Sequence, residues 1–238
     1  MIEHHLARIR FRHALSAEEE AAIRAIVPPP RHVDRHSLVV REGQHLDAST
    51  LLLKGILCRY KDLLGGNRQI TQLHVPGDFA DLHAFTLKRL EHNILALTDC
   101  TIASVPHDDL RQLIERWPRL GRLYWFSTNL DASINREWEL SLGQRSAVAR
   151  LAALFCELLV RLQIIGHEGT TFALGMNQTE LADSLGMTAV HINRTLRLLR
   201  DQGLLVYRRG EAQILDLNGL KAVAEFDPTY LYLNPDPL

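Results

Sequence analysis

No stretch of the 238 residues strings together the roughly 18 apolar residues that a membrane span requires. The opening MIEHHLARIR lacks the apolar centre of a secretory leader. A cytoplasmic chain with no membrane partner is therefore expected. Cysteine is scarce: Cys58, Cys100 and Cys156 are odd in number, far apart and form no CxxC pair. That excludes a disulfide framework or a zinc ribbon and leaves three small buried hydrophobes in a reducing compartment. A P-loop, an HExxH pair and a nucleophile elbow are all missing, so an enzyme is not expected. Net charge is nearly absent as well, −1 from 27 basic and 28 acidic residues, so any attraction to nucleic acid has to be local. The 46% hydrophobic content is ordinary for a globular chain with a core, in one large domain or two modest ones.

What is present concentrates between Asn177 and Leu205. Leu181, Leu185, Ile192 and Leu196 fall at helical spacings on either side of Gly186, which suits the positive φ that ends a helix sharply. Ala182 is small where two helices cross, and Met187 is apolar at the corner. Thr188 stands as N-cap before a second helix running to about Arg200, with Gly203 as its stop signal. With the apolar residues inward, the outward face carries Ala189, Val190, His191, Asn193, Arg194 and Arg197, with Gln178 at the start of the first helix. Arg pairs bidentately with guanine and Asn with adenine, while Ala and Val suit a thymine methyl. Residues 204–207 and 212–215 then read as two strands around the turn Arg208-Arg209-Gly210-Glu211, a wing whose two arginines suit phosphate. Between Thr188 and Gly210 five arginines face one aspartate, a focused basic footprint.

The rest of the chain divides by texture. Ser16 and Glu19 form a capping box for a helix to Ile26, which Pro28-Pro29-Pro30 stops. From His32 to Pro106, short apolar runs alternate with turns: Ser37–Val40, Thr50–Leu53, Ile56–Tyr60, Gln69–Val75, Ile94–Leu97 and Ile102–Val105. This spacing indicates an all-β sandwich or barrel. A brief helix covers Leu110–Glu115. Pro118 then suits the first turn of a long helix to about Leu142, roughly 37 Å at ~1.5 Å per residue. Its seam, Leu120, Leu123, Ser127, Leu130 and Ile134, alternates spacings of three and four and is expected to form a dimer coil. Gly143 is expected to break this helix, and Arg145–Leu162 to begin the next unit, with Val148, Leu151, Leu154, Phe155, Leu158 and Leu159 inward. The predicted architecture is α+β: an N-terminal antiparallel β-roll over residues 1–117, a dimerisation helix over 118–143 and a C-terminal winged helix-turn-helix over 144–238.

This order of elements resembles the family of the cyclic-AMP receptor protein and the fumarate/nitrate reduction regulator over nearly the whole chain. Glu180-Leu181, Gly186, Arg194, Leu204-Leu205 and Pro76-Gly77-Asp78-Phe79 carry the resemblance. It implies a cyclic-nucleotide-binding-like jelly roll and a homodimer with two recognition helices in successive major grooves of a near-palindromic site. It also implies a base-reading role for Arg194 and contact with RNA polymerase. Ala189-Val190 stands where the receptor protein has Arg-Glu, so the operator should differ.

The family's effector pocket maps onto Gly77, Phe79, Ala80, Asp81, Leu82, Arg89, Glu91 and His92. In cyclic-nucleotide binders the equivalent run is Gly-Glu-Leu followed by Arg-Ser/Thr-Ala. Here Ala80-Asp81-Leu82 and Glu91-His92-Asn93 stand instead, with Arg89 the nearest arginine, and an acid at the phosphate clamp repels a phosphodiester. Cyclic AMP is thus not expected to bind in the usual mode, and an unidentified small-molecule effector is. The N-terminal cysteine cluster of the iron–sulfur branch is missing. No cofactor is identified and no metal ligands are assigned. Twelve histidines, with His74, His83 and His92 near the pocket and His32 and His36 flanking Asp34, support an alternative: an effector module with a haem or metal sensor site acting through protein–protein contacts. His4-His5 reads as a polar terminus.

Overall fold

The computed structural model describes residues 2–234. Two helices, α1 (Glu3–Arg12) and α2 (Ala17–Ala25), precede seven strands: β1 (Arg31–Val33), β2 (Leu38–Val40), β3 (Ala48–Lys54), β4 (Leu57–Asp62), β5 (Arg68–His74), β6 (Asn93–Ala96) and β7 (Cys100–Pro106). A short helix α3 (Ala84–Leu87) lies between β5 and β6. Then come α4 (His107–Arg116), α5 (Pro118–Gln144), α6 (Ala147–Ile164), β8 (Thr171–Ala173), α7 (Gln178–Leu185), α8 (Ala189–Asp201), β9 (Leu205–Arg208), β10 (Glu211–Ile214) and α9 (Leu217–Ala224). A 3-10 turn follows at Pro228–Leu231.

The seven strands form two antiparallel sheets, β2-β6-β4-β5 and β1-β7-β3, that share a core of Val40, Leu52, Leu57, Ile94 and Ile102. The four-stranded sheet buries apolar side chains on both faces, because its outer face is covered too. Cys58, Tyr60, Ile70 and Leu73 join Leu130, Ile134 and Trp138 of α5, the α6 core and Leu181 of α7 in one continuous cluster. All three cysteines are free and buried. The predicted strands are present; β1, β8 and the helices α1, α3 and α9 are additional.

Local signals fix the helix starts. Ser16 and Glu19 make the capping box of α2, and Asn177 and Glu180 make an equivalent one for α7. Pro118 occupies the first turn of α5. Gly143 does not break that helix. It sits exposed within the last turn, and the chain turns only at Arg145, where Ser146 caps α6.

The expected coil seam is corrected. Leu120 and Leu123 pack with Leu6, Leu110 and Leu113, and Leu130 and Ile134 join the sheet cluster, so all four are buried by their own chain. Ser127 donates its hydroxyl hydrogen to the Leu123 carbonyl of its own helix. An amphipathic helix buries its most apolar stripe first, and here the sheet lies within reach of it.

The N-terminus is also more than polar. Ile2, just ahead of α1, and Leu6 and Ile9 within it enter the second cluster, and His5 is buried, donating from Nδ1 to the Gly77 carbonyl at 2.9 Å. Gly77 has φ +92, and a Cβ there would meet the His4 carbonyl at 2.7 Å, so α1 seats directly on the Pro-Gly-Asp turn.

Candidate nucleic-acid interface

The C-terminal unit holds α8 out from the body by a narrow base. Ile192, Thr195 and Leu199 are fully buried, and Leu196 and Met187 are partly buried against the same cluster. Gly186 takes φ +60 and ends α7, and Thr188 caps α8 by accepting from the His191 N–H at 3.2 Å. The helix start is therefore fixed. Around it Val190 is 80% exposed, and His191, Asn193, Arg194 and Arg197 face solvent, with Ala189 half-buried. Arg197 and Arg200 share Asp201, whereas Arg194 has no charged partner among the described residues. Asn193 donates to the Gln178 side chain at 2.6 Å, which ties the starts of the two helices together.

The wing is a three-stranded sheet of order β8-β10-β9, with β8 beyond what the sequence indicates. Glu211 pairs with Arg208, which leaves Arg209 (φ +52) and Gly210 (φ +80) as a two-residue turn of the kind that hairpin twist favours. The turn is braced: the Gly210 carbonyl accepts from Leu174 and Gly175 N–H at 2.8 and 2.7 Å, and Tyr207 donates its hydroxyl to the Met176 carbonyl at 2.6 Å. Arg208 and Arg209 are exposed, with no ion pair among the described residues. All ten sequence-predicted DNA-facing residues thus lie on α7, α8 and the wing.

The predicted effector residues do not converge. Asp81 is sealed and spent: its carboxylate accepts from the Thr50 backbone N–H and, at 3.0 Å, from the Thr50 hydroxyl, while burial pushes its pKa up to about 6. Ala80 is fully buried, and Gly77, Phe79 and Leu82 face α1 and α5 instead. Arg89 points outward to the Gly43 carbonyl at 2.6 Å. Only Glu91 and His92 reach the open cleft between the sheet and α5, with Arg59, His83, Asp131 and Asn135. Arg59 is the residue that sequence reasoning missed. It is 5% exposed and donates to the Ala80 carbonyl at 2.8 Å and to Asp131 of α5 at 2.6 Å. Asp131 also accepts from Gln72 at 2.8 Å, and its pairing with Arg59 neutralises the buried cation of the cleft from within.

The histidines do not form one site. His74 is sealed, and burial together with Arg59, Arg161 and Arg8 holds its pKa well below the usual value. The rings of His83 and His92 lie 5.5 Å apart, and burial holds His83 at about 4. His32 approaches Asp34 and Asp99, all exposed, whereas His36 turns instead to Glu180 at 2.8 Å.

A second stripe on α5 has the heptad spacing without the apolar signal: Gly121, Trp125, Thr128, Ala132, Asn135, Glu139 and Leu142. Each is exposed or half-buried, and Trp125 is 68% exposed. The stripe borders the open side of the cleft, which Thr128, Ala132 and Asn135 help to line. Apart from Trp125 and Leu142 its residues are small or polar, which hid it from a reading based on hydrophobic periodicity.

Residues 149–223 match the model of a Crp-like helix-turn-helix domain, and residues 30–116 that of a cyclic nucleotide-binding domain. The chain is similar to the transcriptional activator protein FnrA of Stutzerimonas stutzeri, 24% identical over 211 residues that cover 89% of this chain and 86% of that one. It is also similar to the nitrogen fixation regulation protein FixK of Bradyrhizobium diazoefficiens, 29% identical over 174 residues, 73% of this chain and 72% of that one. Among solved structures, FixK2 from Bradyrhizobium japonicum shares the fold with a TM-score of 0.73 at 21% identity, over 82% of this chain and 96% of that one.

Proposed function

Because this chain belongs to the CRP/FNR family of DNA-binding transcription regulators, we propose that it acts as a homodimer on a near-palindromic operator read by Arg194, Asn193 and Arg197. The observation that carries this reading is the unpaired Arg194 on the outward face of a helix whose start is fixed by Thr188. Val190 and Ala189 then meet thymine methyls, and Arg208 and Arg209 hold phosphate. Changing Arg194 to Ala is expected to cost roughly 1–3 kcal/mol, about 5- to 150-fold in affinity, at one base position of each half-site, and to relax specificity there. Binding assays on operator variants test it, and an unchanged base preference sinks the assignment. If the unaltered protein forms no saturable, salt-sensitive complex with genomic fragments, only a role through protein contacts is left.

For the dimer we favour the second α5 stripe, since the first is consumed by the chain's own core. Ala132→Arg sets two like charges against each other near the centre of a symmetric coil. Light scattering should report a monomer with intact secondary structure, because Ala132 touches no core. A variant that stays dimeric rules out this face.

The cleft supports an effector other than cyclic AMP in its usual mode. Arg59 is already paired with Asp131, Arg89 faces away and Glu91 borders the opening. In this reading the regulator works in the cytoplasm, where it meets RNA polymerase, and catalysis forms no part of it.

A further inference from the structure

The cleft beneath the wing is closed on one side by a residue of the β-roll. Gln178 and Thr179 of α7, Tyr207 and Arg208 of β9 and the turn residue Arg209 line it, and so does Arg35, from the turn between β1 and β2. That turn is tied down. Arg35 N–H donates to the Asp99 carboxylate at 3.0 Å, His36 N–H to the Ala96 carbonyl at 2.7 Å and Ser37 N–H to the Asp34 carbonyl at 3.1 Å. The guanidinium is steered by Glu180, whose carboxylate oxygens lie 3.2 and 3.4 Å from Nη2. Nη1 has no partner among the described residues, and the side chain is 39% exposed.

We propose that Arg35 is a DNA phosphate ligand, so that the duplex backbone flanking the bases read by α8 is gripped from the wing and from the sensor domain together. This inference rests on the DNA-binding reading and goes beyond it, because it brings the β-roll into the contact with DNA. Charge supports it. Three arginines and, among the described residues, no carboxylate line the cleft; of the two carboxylates that Arg35 bonds outside it, Asp99 accepts from its backbone N–H at 3.0 Å, and Glu180 also accepts from the Asn177 N–H at 2.6 Å. A concave, cationic wall with guanidinium forks suits a phosphate polymer, which carries a negative charge at every step and is bound without regard to sequence. Glu180 holds Arg35 ready without using up its outer edge.

The competing role for Arg35 is a strut that merely keeps Glu180 in place. Salt dependence separates the two, because a lost strut weakens binding at every salt concentration alike, whereas a lost phosphate contact changes the slope. The full-length protein would be titrated with a random-sequence duplex of about 40 base pairs between about 50 and about 200 mM salt, since phosphate binding needs no operator. Arg35→Gln keeps a donor for Glu180 but removes the charge. Its slope of log affinity against log salt is expected to fall by about 0.9 per protomer, so the advantage of the unaltered protein shrinks about 3.5-fold per protomer across that range. Arg35→Lys should restore most of the slope. Arg208→Gln serves as the comparison: if it lowers the slope and Arg35→Gln does not, Arg35 is a strut and this inference is overturned. If the unaltered protein shows no salt-sensitive complex at all, the DNA-binding reading fails first.

Discussion

Asp78→Ala is expected to destabilise the protein by about 3–5 kcal/mol, the cost of leaving buried charge without its partner, and to lower the melting midpoint by roughly 10 °C. Asp78 ends the Pro-Gly-Asp turn and is 5% exposed. Its carboxylate accepts from the Val75 N–H at 2.9 Å and from Arg161 of α6 at 2.7 Å, and it pairs with Arg8 of α1. Arg161 in turn donates to Glu157 at 3.0 Å and to the Leu73 carbonyl at 2.9 Å. Glu157 accepts from the Trp138 indole at 3.0 Å and from the Tyr230 hydroxyl at 2.9 Å. One buried network thus joins the N-terminal helix, the β-roll, the long helix, the DNA-binding unit and the C-terminal segment. Two arginines balance two carboxylates in it, and removing Asp78 leaves the half-buried Arg8 and the buried Arg161 facing each other without the carboxylate between them. Arg161→Met in the same chain relieves that repulsion. The double variant should therefore be less destabilised than the sum of the two single variants. Thermal or urea unfolding of the four proteins measures the cycle; additive losses, or a loss below about 1 kcal/mol for Asp78→Ala, would show that the charges are not coupled.

That network marks the boundary between what the sequence reveals and what it hides. Signals that act over a few residues were legible. Thr188 before α8, Gly186 after α7, the Ser16-Glu19 box and Pro118 in the first turn of α5 each do the local job their type and position indicate. The outward-facing residues of α8 were legible for the same reason, since a short amphipathic helix fixes its outward face as soon as its inward face is known. Contacts across long separations were not. His5 is buried only because Gly77, 72 positions away, offers a carbonyl and no side chain. Arg59 and Asp131, also 72 positions apart, look like ordinary surface charges until the long helix crosses the sheet. On α5 two stripes share one spacing, and hydrophobicity picked the one that the chain buries itself.

Acid should unfold the protein early, with stability falling as pH drops below about 6.5, the range in which histidines in an unfolded chain take up protons. Burial holds His5 and His83 at about 4, keeps His107 and His92 below the usual value and His74 well below it. A histidine whose folded pKa lies below its unfolded one stays neutral in the fold while the unfolded chain gains a proton. The unfolded state then binds more protons, and stability present above about 6.5 is lost as pH falls toward the folded value. His5 alone accounts for roughly 2 kcal/mol between pH 7 and pH 5. Asp81 works in the opposite sense. Burial raises its pKa to about 6, so the folded chain takes that proton first and recovers about 1 kcal/mol over the same interval. Several histidines outweigh one aspartate, and a net loss of a few kcal/mol by about pH 5 follows. Urea titrations from about pH 7.5 down to about pH 5 should show the midpoint sliding steadily. His5→Phe, which keeps a ring against Phe79 and Tyr124 but cannot ionise, should make that slide shallower. A midpoint that holds constant down to about pH 5 would mean that these imidazoles gain protons in the fold as readily as outside it, and the sealed core around the Pro-Gly-Asp turn would have to be open to water.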